Sequence, residues 1–329
     1  MKPIEHIKSL EHIKAVADPR RLAILRRLMD EPATLTHLGR ALGEHPAWIR
    51  HHLKLLESAG LVEMTGSQRI GGYVEKYYRA SARAYLLQEM LLPNAVESDT
   101  IVLAGSHDLA LEMLARSVHP NLFILPIGSL DGLLTLRQGM CQISACHLFD
   151  APSGEYNLPY VRHFFPDQAM AVLTLAHREQ GLLVAVGNPR RIRGLEDLAR
   201  EDIIFVNRNR GSGTRLWLDE QLHRLGLSPA GVRGYAHEVR THTEVAQAIL
   251  DGHADLGLGI HAAARALGLD FIPLFHERYD IVAPQEILAD HGAAPLFDFL
   301  HSGEFRRQAE ALGGYDMSHT GEQLAPVSR

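Results

Sequence analysis

The feature that most constrains the fold is a plan that occurs three times after residue 100. An apolar strand leads into a short loop rich in Gly and Ser, and a helix follows. The three copies are TIVLAGSHDLALEMLA (100–115), NLFILPIGSLDGLLTLRQG (121–139) and DIIFVNRNRGSGTRLWLDEQL (202–222). Strands that alternate with helices in this way predict parallel sheets of the α/β class. In such sheets, ligands bind at the carboxyl ends of the strands.

The three loops share the residue types that bind anions. Each loop precedes a helix, whose first N–H groups are free and whose end carries a partial positive charge. Small Gly and Ser residues let an oxyanion approach the backbone, and hydroxyl groups add further donors. A single loop of this kind is typical of an ordinary capped turn. Three such loops in one domain predict that they converge on one anion.

A nucleotide-binding loop is disfavoured. The third loop lacks the G-x-x-x-x-G-K-[ST] pattern, and no lysine follows Lys76 to contact a phosphate. No G-x-G-x-x-G pattern follows the first strand either.

The remaining apolar runs predict a second lobe. AVLTLAHREQGLLVAVGNP (171–189) is interpreted as two strands around residues 178–181, and FIPLFHERYDIVAP (271–284) as a further strand. A chain that passes from one α/β lobe to a second and then returns is typical of a two-lobed binding protein.

The charge distribution separates the first ninety residues from this body. Residues 1–92 contain 14 Lys and Arg against 10 Asp and Glu, a net charge of +4, whereas residues 93–329 contain 19 against 29, a net charge of −10. A basic head on an acidic body indicates that the head binds a polyanion.

The head has the element order of a winged helix-turn-helix. DPRRLAILRRLMD predicts a helix capped by Asp18, and EPATLTHLGRALG predicts a second helix between Thr34 and Gly43. HPAWIRHHLKLLESAG follows after one tight turn, and LVEMTGSQRIGGYVEKYYRAS predicts a hairpin. The helix after the turn enters the DNA major groove in this motif. The residues expected to contact DNA from this helix and from the hairpin tip are Ala47, Trp48, Arg50, His51, Lys54 and Arg69.

The head resembles the winged-helix domain of ArsR-type bacterial regulators over roughly residues 5–85. The matching stretches are ADPRRLAILRRL, LGRALGEHPAWIRHHLKLLESAGLV and GGYVEKYYRAS. The cysteine metal site of metal-sensing members is absent from THLGRAL, and Pro46, Ala47 and Trp48 replace the usual small polar residues. The resemblance implies a dimer, with the amphipathic run ARAYLLQEMLL (82–92) as a dimerisation helix.

The body resembles the cytoplasmic periplasmic-binding-protein-like domain that is related to molybdate- and tungstate-binding proteins. The matching stretches, nearly continuous over residues 100–283, include AGSHD, GSLDGLLTLRQG, CHLFDAPSGEYN, REQGLLVAVGNP and FVNRNRGSGTR. The resemblance implies a cleft that binds molybdate or tungstate. The ligand-binding candidates that it implies are Ser106, His107, Ser129, Tyr156, Asn157, Arg210, Ser212, Thr214 and Thr241. Arg208 and Arg215 are interpreted as partners of surface carboxylates.

Together these features predict a cytoplasmic one-component transcriptional regulator that is not an enzyme. A winged helix-turn-helix head with its dimerisation helix (residues 1–92) binds double-stranded DNA as a homodimer. A linker (93–99), a two-lobed type II periplasmic-binding-protein-like domain (100–316, second lobe about 185–280) and a C-terminal tail (317–329) follow. No cofactor is required, and molybdate or tungstate is the expected effector.

Two alternatives remain open. The same architecture could sense an organic ligand such as a pterin, another molecule related to the molybdenum cofactor, or a carboxylate. The protein could also act in molybdenum-cofactor metabolism without binding DNA, although no nucleophile–base arrangement or metal motif supports chemistry. An export signal is not predicted, since MKPIEHIKSLEHIK is charged and amphipathic, and no apolar run reaches the ~20 residues that span a bilayer. The two cysteines, Cys141 and Cys146, fit a reducing compartment.

Overall fold

A computed structural model describes residues 2, 5–7, 10–70, 72–87, 100–118 and 122–324. The chain forms two compact units, Met1–Leu92 and Pro93–Arg329. The predicted fold class is confirmed, because a helix-turn-helix unit with a β-hairpin precedes a two-lobed α/β unit.

The described part of the first unit contains helices, a long hairpin and a small parallel sheet. Its elements are β1 (Glu5–Ile7), α1 (Leu10–Val16), α2 (Pro19–Asp30), α3 (Leu35–Leu42), α4 (Pro46–Ser58), β2 (Val62–Ile70), β3 (Tyr73–Ala80) and β4 (Tyr85–Leu87).

Local capping fixes the ends of α2 and α3 as the sequence predicts. Asp18 accepts the Arg20 N–H at 2.8 Å, and Thr34 accepts the His37 N–H at 3.3 Å. Gly43 ends α3 with φ of 69°, a conformation that glycine adopts without steric cost. The helices bury their apolar faces in one core, which includes Ile24, Leu25, Leu28, Leu38, Ile49, Leu53 and Leu56.

The predicted dimerisation helix is wrong where the structure describes it. Tyr85–Leu87 is a strand that pairs in parallel with Glu5–Ile7, and Tyr85 Oη donates to the Leu61 carbonyl at 2.8 Å. These partners lie far away along the sequence, so the local apolar pattern could not reveal them. Residues 88–92 of the predicted helix and the predicted linker 93–99 lie outside the described residues.

The second unit alternates strands and helices. Its strands are β5 (Ile101–Gly105), β6 (Leu122–Pro126), β7 (Ile143–Cys146), β8 (Phe149–Asp150), β9 (Glu155–Tyr156), β10 (Met170–Val184), β11 (Phe205–Arg208), β12 (Glu238–Val239), β13 (Leu256–Ile260), β14 (Asp270–Pro284) and β15 (Tyr315–Asp316). Its helices are α5 (Leu109–Val118), α6 (Ser129–Arg137), α7 (Leu158–Phe164), α8 (Gly213–Arg224), α9 (His242–Leu250), α10 (His261–Ala266), α11 (Ala294–Leu300) and α12 (Gly303–Leu312). Three 3₁₀ helices span Leu195–Ala199, Pro229–Gly231 and Gln285–Ala289.

One mixed sheet runs through both lobes. Its strand order is β12-β11-β13-β10-β14-β7-β5-β6, and β15 pairs with the side of β10. Lobe 1 contains β5, β6 and β7, and lobe 2 contains β11, β12 and β13. In lobe 1, β5 pairs in parallel with β6 and β7; in lobe 2, β11 pairs in parallel with β12 and β13. The predicted parallel pairing is therefore confirmed within each lobe.

Two long antiparallel strands connect the lobes. Strands β10 and β14 are 15 residues each, and their pairing extends from Met170 opposite Pro284 to Val184 opposite Asp270. One end of this ribbon pairs with β7 in lobe 1, and the other end pairs with β13 in lobe 2. The predicted break at residues 178–181 is wrong, because β10 is continuous there and this stretch lies at the boundary of the lobes.

Residues 317–324 pack against the connecting ribbon. Thr320 Oγ1 donates to the Leu175 carbonyl at 2.8 Å, and the Leu324 N–H donates to the Val172 carbonyl at 2.8 Å. The region predicted as a C-terminal tail is thus ordered against β10 as far as residue 324.

An aromatic stack joins lobe 2 to the ribbon. Trp217 of α8 lies against Phe275 of β14, with ring centroids 3.8 Å apart and an interplanar angle of 20°. The helix that follows the third Gly/Ser loop is thereby packed on a connecting strand.

Gly132 brings α6, and with it Ser129, close to the sheet. A Cβ at this position would lie 2.7 Å from the Ala104 carbonyl oxygen and 2.8 Å from Ser144 Oγ. We expect Gly132→Ala to lower the free energy of unfolding by about 1–3 kcal/mol, because α6 must move away from the sheet. Urea unfolding measures this change. Gly231→Ala is the matched control, since nothing lies within 4 Å of its Cβ position; an equal loss in both variants would contradict the close packing of α6.

Candidate functional site

The three Gly/Ser loops meet at the boundary between the lobes. Ser106, Ser129, Ser212 and Thr214 are each at most 1% exposed. Ser129 Oγ accepts the His147 N–H at 3.2 Å, and a Cβ at Gly213 would overlap the His147 carbonyl oxygen. The structure therefore brings together the loop residues that the sequence analysis selected, although Ser212 Oγ is engaged as the cap of α8, accepting the Arg215 N–H.

Direct hydrogen bonds hold the lobes together. The Leu130 N–H donates to the Gly211 carbonyl at 3.0 Å, and Asn209 Nδ2 donates to the Ile127 carbonyl at 3.1 Å. The His242 N–H donates to His107 Nδ1 at 3.2 Å. The polar groups between the lobes are consequently buried, and electrostatic interactions there are stronger than in water.

A buried ion-pair cluster lies on the connecting ribbon. Arg178 of β10 donates from Nε to Glu277 of β14 at 2.5 Å and from Nη1 to Asp108 of lobe 1 at 2.7 Å. Tyr315 Oη also donates to Asp108, whose other oxygen caps α5 by accepting the Leu111 N–H. Asp108 therefore both caps α5 and pairs with a buried arginine.

His147 connects this cluster to the first loop. Its Nδ1 lies 2.7 Å from Glu277 Oε2, and its Nε2 lies 2.9 Å from Ser106 Oγ. Burial lowers the pKa of His147 and opposes its charged form. Burial alone would raise the pKa of Glu277, but Arg178 and His147 outweigh it and lower that pKa to about 2. The site therefore holds a neutral imidazole beside an ionised carboxylate.

Arg208 is a buried cation without a carboxylate partner. It is 1% exposed, and its guanidinium contacts His242 Nε2 at 2.9 Å and the Arg240 carbonyl at 2.7 Å. Its Nε has no hydrogen-bond partner, and no carboxylate pairs with it in the described part of the chain. Burial, followed by repulsion from Arg178, lowers the pKa of Arg208 to about 9. Such a charge is costly to bury unless an anion accompanies it.

Several other predicted residues lie outside this cluster or are already engaged. The Arg210 side chain is 88% exposed, 3.6 Å from Glu238. Tyr156 is half-buried against Phe149, and Thr241 caps α9. Asn157 is buried but saturated, because it accepts the Leu148 N–H and donates to the Cys146 carbonyl and to Asp280. His107 lies at the boundary with Nε2 3.0 Å from Glu112.

The charged residues at the lobe boundary were not identified from the sequence. The assignment of Arg208 to a surface ion pair is wrong because its side chain is buried, and Arg215 is also buried although it does pair with Asp219. Arg178, Gln180 and Glu277 were not selected at all. A usable signal was present, since these polar residues interrupt two otherwise apolar strand runs, AVLTLAHREQGLLVAV and FIPLFHERYDIVAP.

The first unit presents the surface expected of a helix-turn-helix. Ala47, Arg50, His51 and Lys54 are exposed on α4, and Arg69 is exposed near the turn of the β2–β3 hairpin. Trp48 is half-buried, with its ring 4.3 Å from that of His52 and 5.8 Å from the Arg20 guanidinium. Trp48 thus packs partly within its own unit. A groove of about 410 Å³ separates α4 from β3 and is lined by Arg50, Lys54 and Lys76 among others.

Two further features bear on function. Within the described ranges, no group of three or more His, Cys, Asp or Glu side chains is arranged to hold a metal ion. Among the helices that the structure describes, none is long and apolar enough to cross a membrane.

A two-lobed α/β unit with a buried polar boundary, preceded by a helix-turn-helix unit, defines the class of this protein. The family model described as PBP superfamily domain matches residues 111–301, and the model described as Helix-turn-helix domain matches residues 16–65. The chain belongs to the PBP superfamily domain family and carries a helix-turn-helix domain in front of it.

Two relatives of known sequence are similar over part of the chain. The uncharacterized protein YvgK of Bacillus subtilis is 36% identical over 227 residues, covering 68% of this chain and 73% of that protein. An uncharacterized protein in the 5′ region of a ferredoxin 2Fe-2S gene of Clostridium pasteurianum is 38% identical over 106 residues, covering 32% of this chain and 94% of that protein.

Solved structures of binding proteins are similar at low identity. A putative phosphate ABC transporter substrate-binding protein with bound phosphate from Clostridium perfringens has 15% identity and a TM-score of 0.48, over 66% of this chain and 98% of that one. The effector-binding domain of QuiR in complex with shikimate has 12% identity and a TM-score of 0.44, over 64% of this chain and 97% of that one.

Removing Arg178 would leave Asp108 and Glu277 buried without their cation. We expect Arg178→Met to lower the free energy of unfolding by about 3–5 kcal/mol at pH 7. The Glu277 pKa of about 2 lies below its ordinary value of 4.5. The contribution of the ionised Glu277 carboxylate to the free energy of unfolding is therefore present above pH 4.5 and is lost as the pH falls toward 2. Urea unfolding at a series of pH values should show that the difference in free energy of unfolding between wild type and Arg178→Met becomes smaller as the pH falls from 4.5 toward 2.

The matched control is Arg224→Met, which removes an arginine that is 54% exposed and paired with Glu220 on the surface of α8. A surface pair contributes about 0–1 kcal/mol. Equal losses in the two variants would show that the Arg178 pairs are not the source of the stability.

Proposed function

We propose that the protein is a cytoplasmic one-component transcriptional regulator, in which the helix-turn-helix unit binds operator DNA as a homodimer and the two-lobed unit binds a small anion. The observation that carries the anion assignment is Arg208, a fully buried guanidinium with no counter-ion among the described residues. A bound anion would remove the cost of burying this charge.

The surroundings of Arg208 support an anion at the lobe boundary. Arg178 Nη2 is a second buried N–H donor without a partner, and Thr214 places a buried hydroxyl on the third loop. Helix α8 begins at this loop, so its first N–H groups and its partial positive charge add to the site. Molybdate and tungstate are the candidates that the sequence resemblance supplies. Ser106, Ser129, Ser212 and His107 are the other proposed site residues.

The first unit supports DNA binding through charge and shape. Arg50 and Lys54 are exposed on α4, and Arg69 is exposed on the hairpin, so cations are available both to a major groove and to a flanking phosphate. Operator half-sites related by two-fold symmetry favour a dimeric reader.

Ligand and DNA would be coupled through the separation of the lobes. An anion that contacts Arg208 of lobe 2 and groups of lobe 1 binds the closed state more strongly than an open one. Such a ligand shifts the population toward the closed state, and it alters DNA affinity if the two states differ in their fit to the operator.

DNA binding can be tested without knowledge of the operator. Selection from a random duplex library should enrich one inverted-repeat sequence, and fluorescence anisotropy should then give an affinity that falls with salt. We expect Arg50→Ala and Lys54→Ala each to reduce the slope of log affinity against log salt by about 2, because each removes one phosphate contact from each subunit of the dimer. Arg224→Ala, in the second unit, is the control. Failure to enrich any duplex would refute the regulator proposal.

Anion binding is tested by thermal unfolding. A ligand that binds the folded state raises its stability by RT ln(1 + [L]/Kd). We expect one or more of molybdate, tungstate, sulfate and phosphate at 1 mM (about 100 times a Kd of about 10 μM) to raise the melting temperature by several degrees. Arg208→Met should abolish the rise, and the ligand-free variant should melt higher than wild type because an unpaired buried charge is gone.

Arg224→Met is again the matched control and should retain the full anion-induced rise. A rise that persists in Arg208→Met would contradict the assignment of Arg208 as the anion partner.

A further inference from the structure

The hydrogen-bond directions in the cleft restrict the ligand beyond its charge. His147 Nδ1 faces Glu277 Oε2 at 2.7 Å, and Glu277 also accepts from Arg178 Nε and Gln180 Nε2. An ionised carboxylate can only accept hydrogen bonds, so the imidazole proton must lie on Nδ1. In this neutral ring Nε2 is an acceptor, and Ser106 Oγ, 2.9 Å away, must donate to it. The Ser106 hydroxyl has then used its one proton and can offer only lone pairs to a ligand.

Gln180 offers a second acceptor. Its Nε2 donates to Glu277 Oε1 at 2.7 Å and to Thr214 Oγ1 at 3.1 Å, which uses both amide protons. The reverse orientation would place the amide oxygen against the carboxylate, so the contact with Glu277 fixes the assignment. Gln180 Oε1 remains buried without a partner. A buried carbonyl oxygen left in this state costs about 1–3 kcal/mol.

Donors and acceptors occur side by side in this cleft. Arg178 and Gln180 are two residues apart on β10 and so point to the same face of the sheet. Arg178 Nη2 and Arg208 Nε are unpartnered donors. Thr214 accepts from Gln180, which leaves its hydroxyl proton available to a ligand. The site thus combines donors for an anionic group with two acceptors: Gln180 Oε1, which has no partner among the described residues, and Ser106 Oγ, which has only lone pairs left to offer.

We propose that the ligand is an anion that carries its own hydrogen-bond donor, such as hydrogen phosphate or a hydroxycarboxylate. This inference rests on the proposed function and narrows the class of its ligand. Molybdate, tungstate and sulfate are fully deprotonated at neutral pH and have only acceptor oxygens. Any of these three would leave Gln180 Oε1 unpaired and would set an oxygen against the lone pairs of Ser106. A site built to accept a ligand's hydrogen bond discriminates strongly against an analogue that lacks the donor.

Two matched sets of ligands, each with one donor-bearing anion and its donor-free counterparts, test the proposal on the full chain by calorimetric titration at pH 7. Hydrogen phosphate is compared with sulfate, molybdate and tungstate, and lactate is compared with propionate. In at least one set, the donor-bearing anion should bind at least tenfold more tightly than its donor-free counterparts. Equal or tighter binding of a donor-free anion overturns the inference but leaves the anion-sensing proposal standing. Absence of binding by both hydrogen phosphate and lactate also overturns it.

Ser106→Ala tests the acceptor directly. The ratio of the affinity for the donor-bearing anion to that for its donor-free counterpart should fall about tenfold, because one hydrogen bond that only the former can make is lost. Ser144→Ala is the matched control, since Ser144 is also buried in lobe 1 but its Oγ lies beside Gly132 of α6. An unchanged ratio in Ser106→Ala contradicts the proposal.

The tautomer of His147 provides a test that needs no ligand. In protein labelled with ¹⁵N-histidine, the His147 signals are identified by their absence in His147→Gln. Chemical shifts of a neutral ring protonated at Nδ1 support the assignment of Ser106 as an acceptor. A ring protonated at Nε2, or at both nitrogens, would free the Ser106 proton and overturn the argument.

Discussion

The ion pair between Arg178 and Glu277 links the architecture of the second unit to its chemistry. The two residues lie on the paired strands β10 and β14, the two strands along which the chain passes from one lobe to the other. Glu277 keeps its charge because Arg178 contacts it, and this charge in turn fixes the proton of His147 and the orientation of Gln180. Arg178 also reaches Asp108 at the start of α5. The same contacts therefore align the two strands, position lobe 1 and fix which groups at the lobe boundary donate and which accept hydrogen bonds.

The charges of this cluster explain why Arg208 differs from the other buried arginine. Arg178 is surrounded by two carboxylates, whereas Arg208 contacts a neutral imidazole and a carbonyl oxygen. Burial and Arg208 both lower the pKa of His242, so this histidine does not add a second charge. The charges of the four buried groups sum to zero, since two are arginines (Arg178 and Arg208) and two are carboxylates (Asp108 and Glu277). Arg208, in lobe 2, is the one of these two arginines without a carboxylate partner among the described residues.

The sequence predicted most of the framework and only part of the site. Helices α2, α3 and α4 of the head followed from caps and apolar spacing, and the three Gly/Ser loops were placed correctly at strand ends, because these signals are local. Helix α1 was not predicted. The β1–β4 pairing was missed since it depends on residues about eighty positions apart. Arg208 was misassigned for a similar reason, because nothing near it in sequence shows that its side chain is buried. Arg178 was not selected, although it interrupts an otherwise apolar strand run. Arg210, by contrast, lies in the most suggestive local stretch and is exposed.

The stack of Trp217 on Phe275 has a practical consequence. The chain contains two tryptophans, Trp48 on α4 of the first unit and Trp217 on α8 of the second. Trp217 follows the third loop by only a few residues and rests on a connecting strand, so its indole emission is sensitive to any displacement of α8 against the ribbon. Each unit therefore carries a single tryptophan near its own candidate binding surface. The fluorescence of Trp48 and Trp217 can therefore report on each unit without an added label.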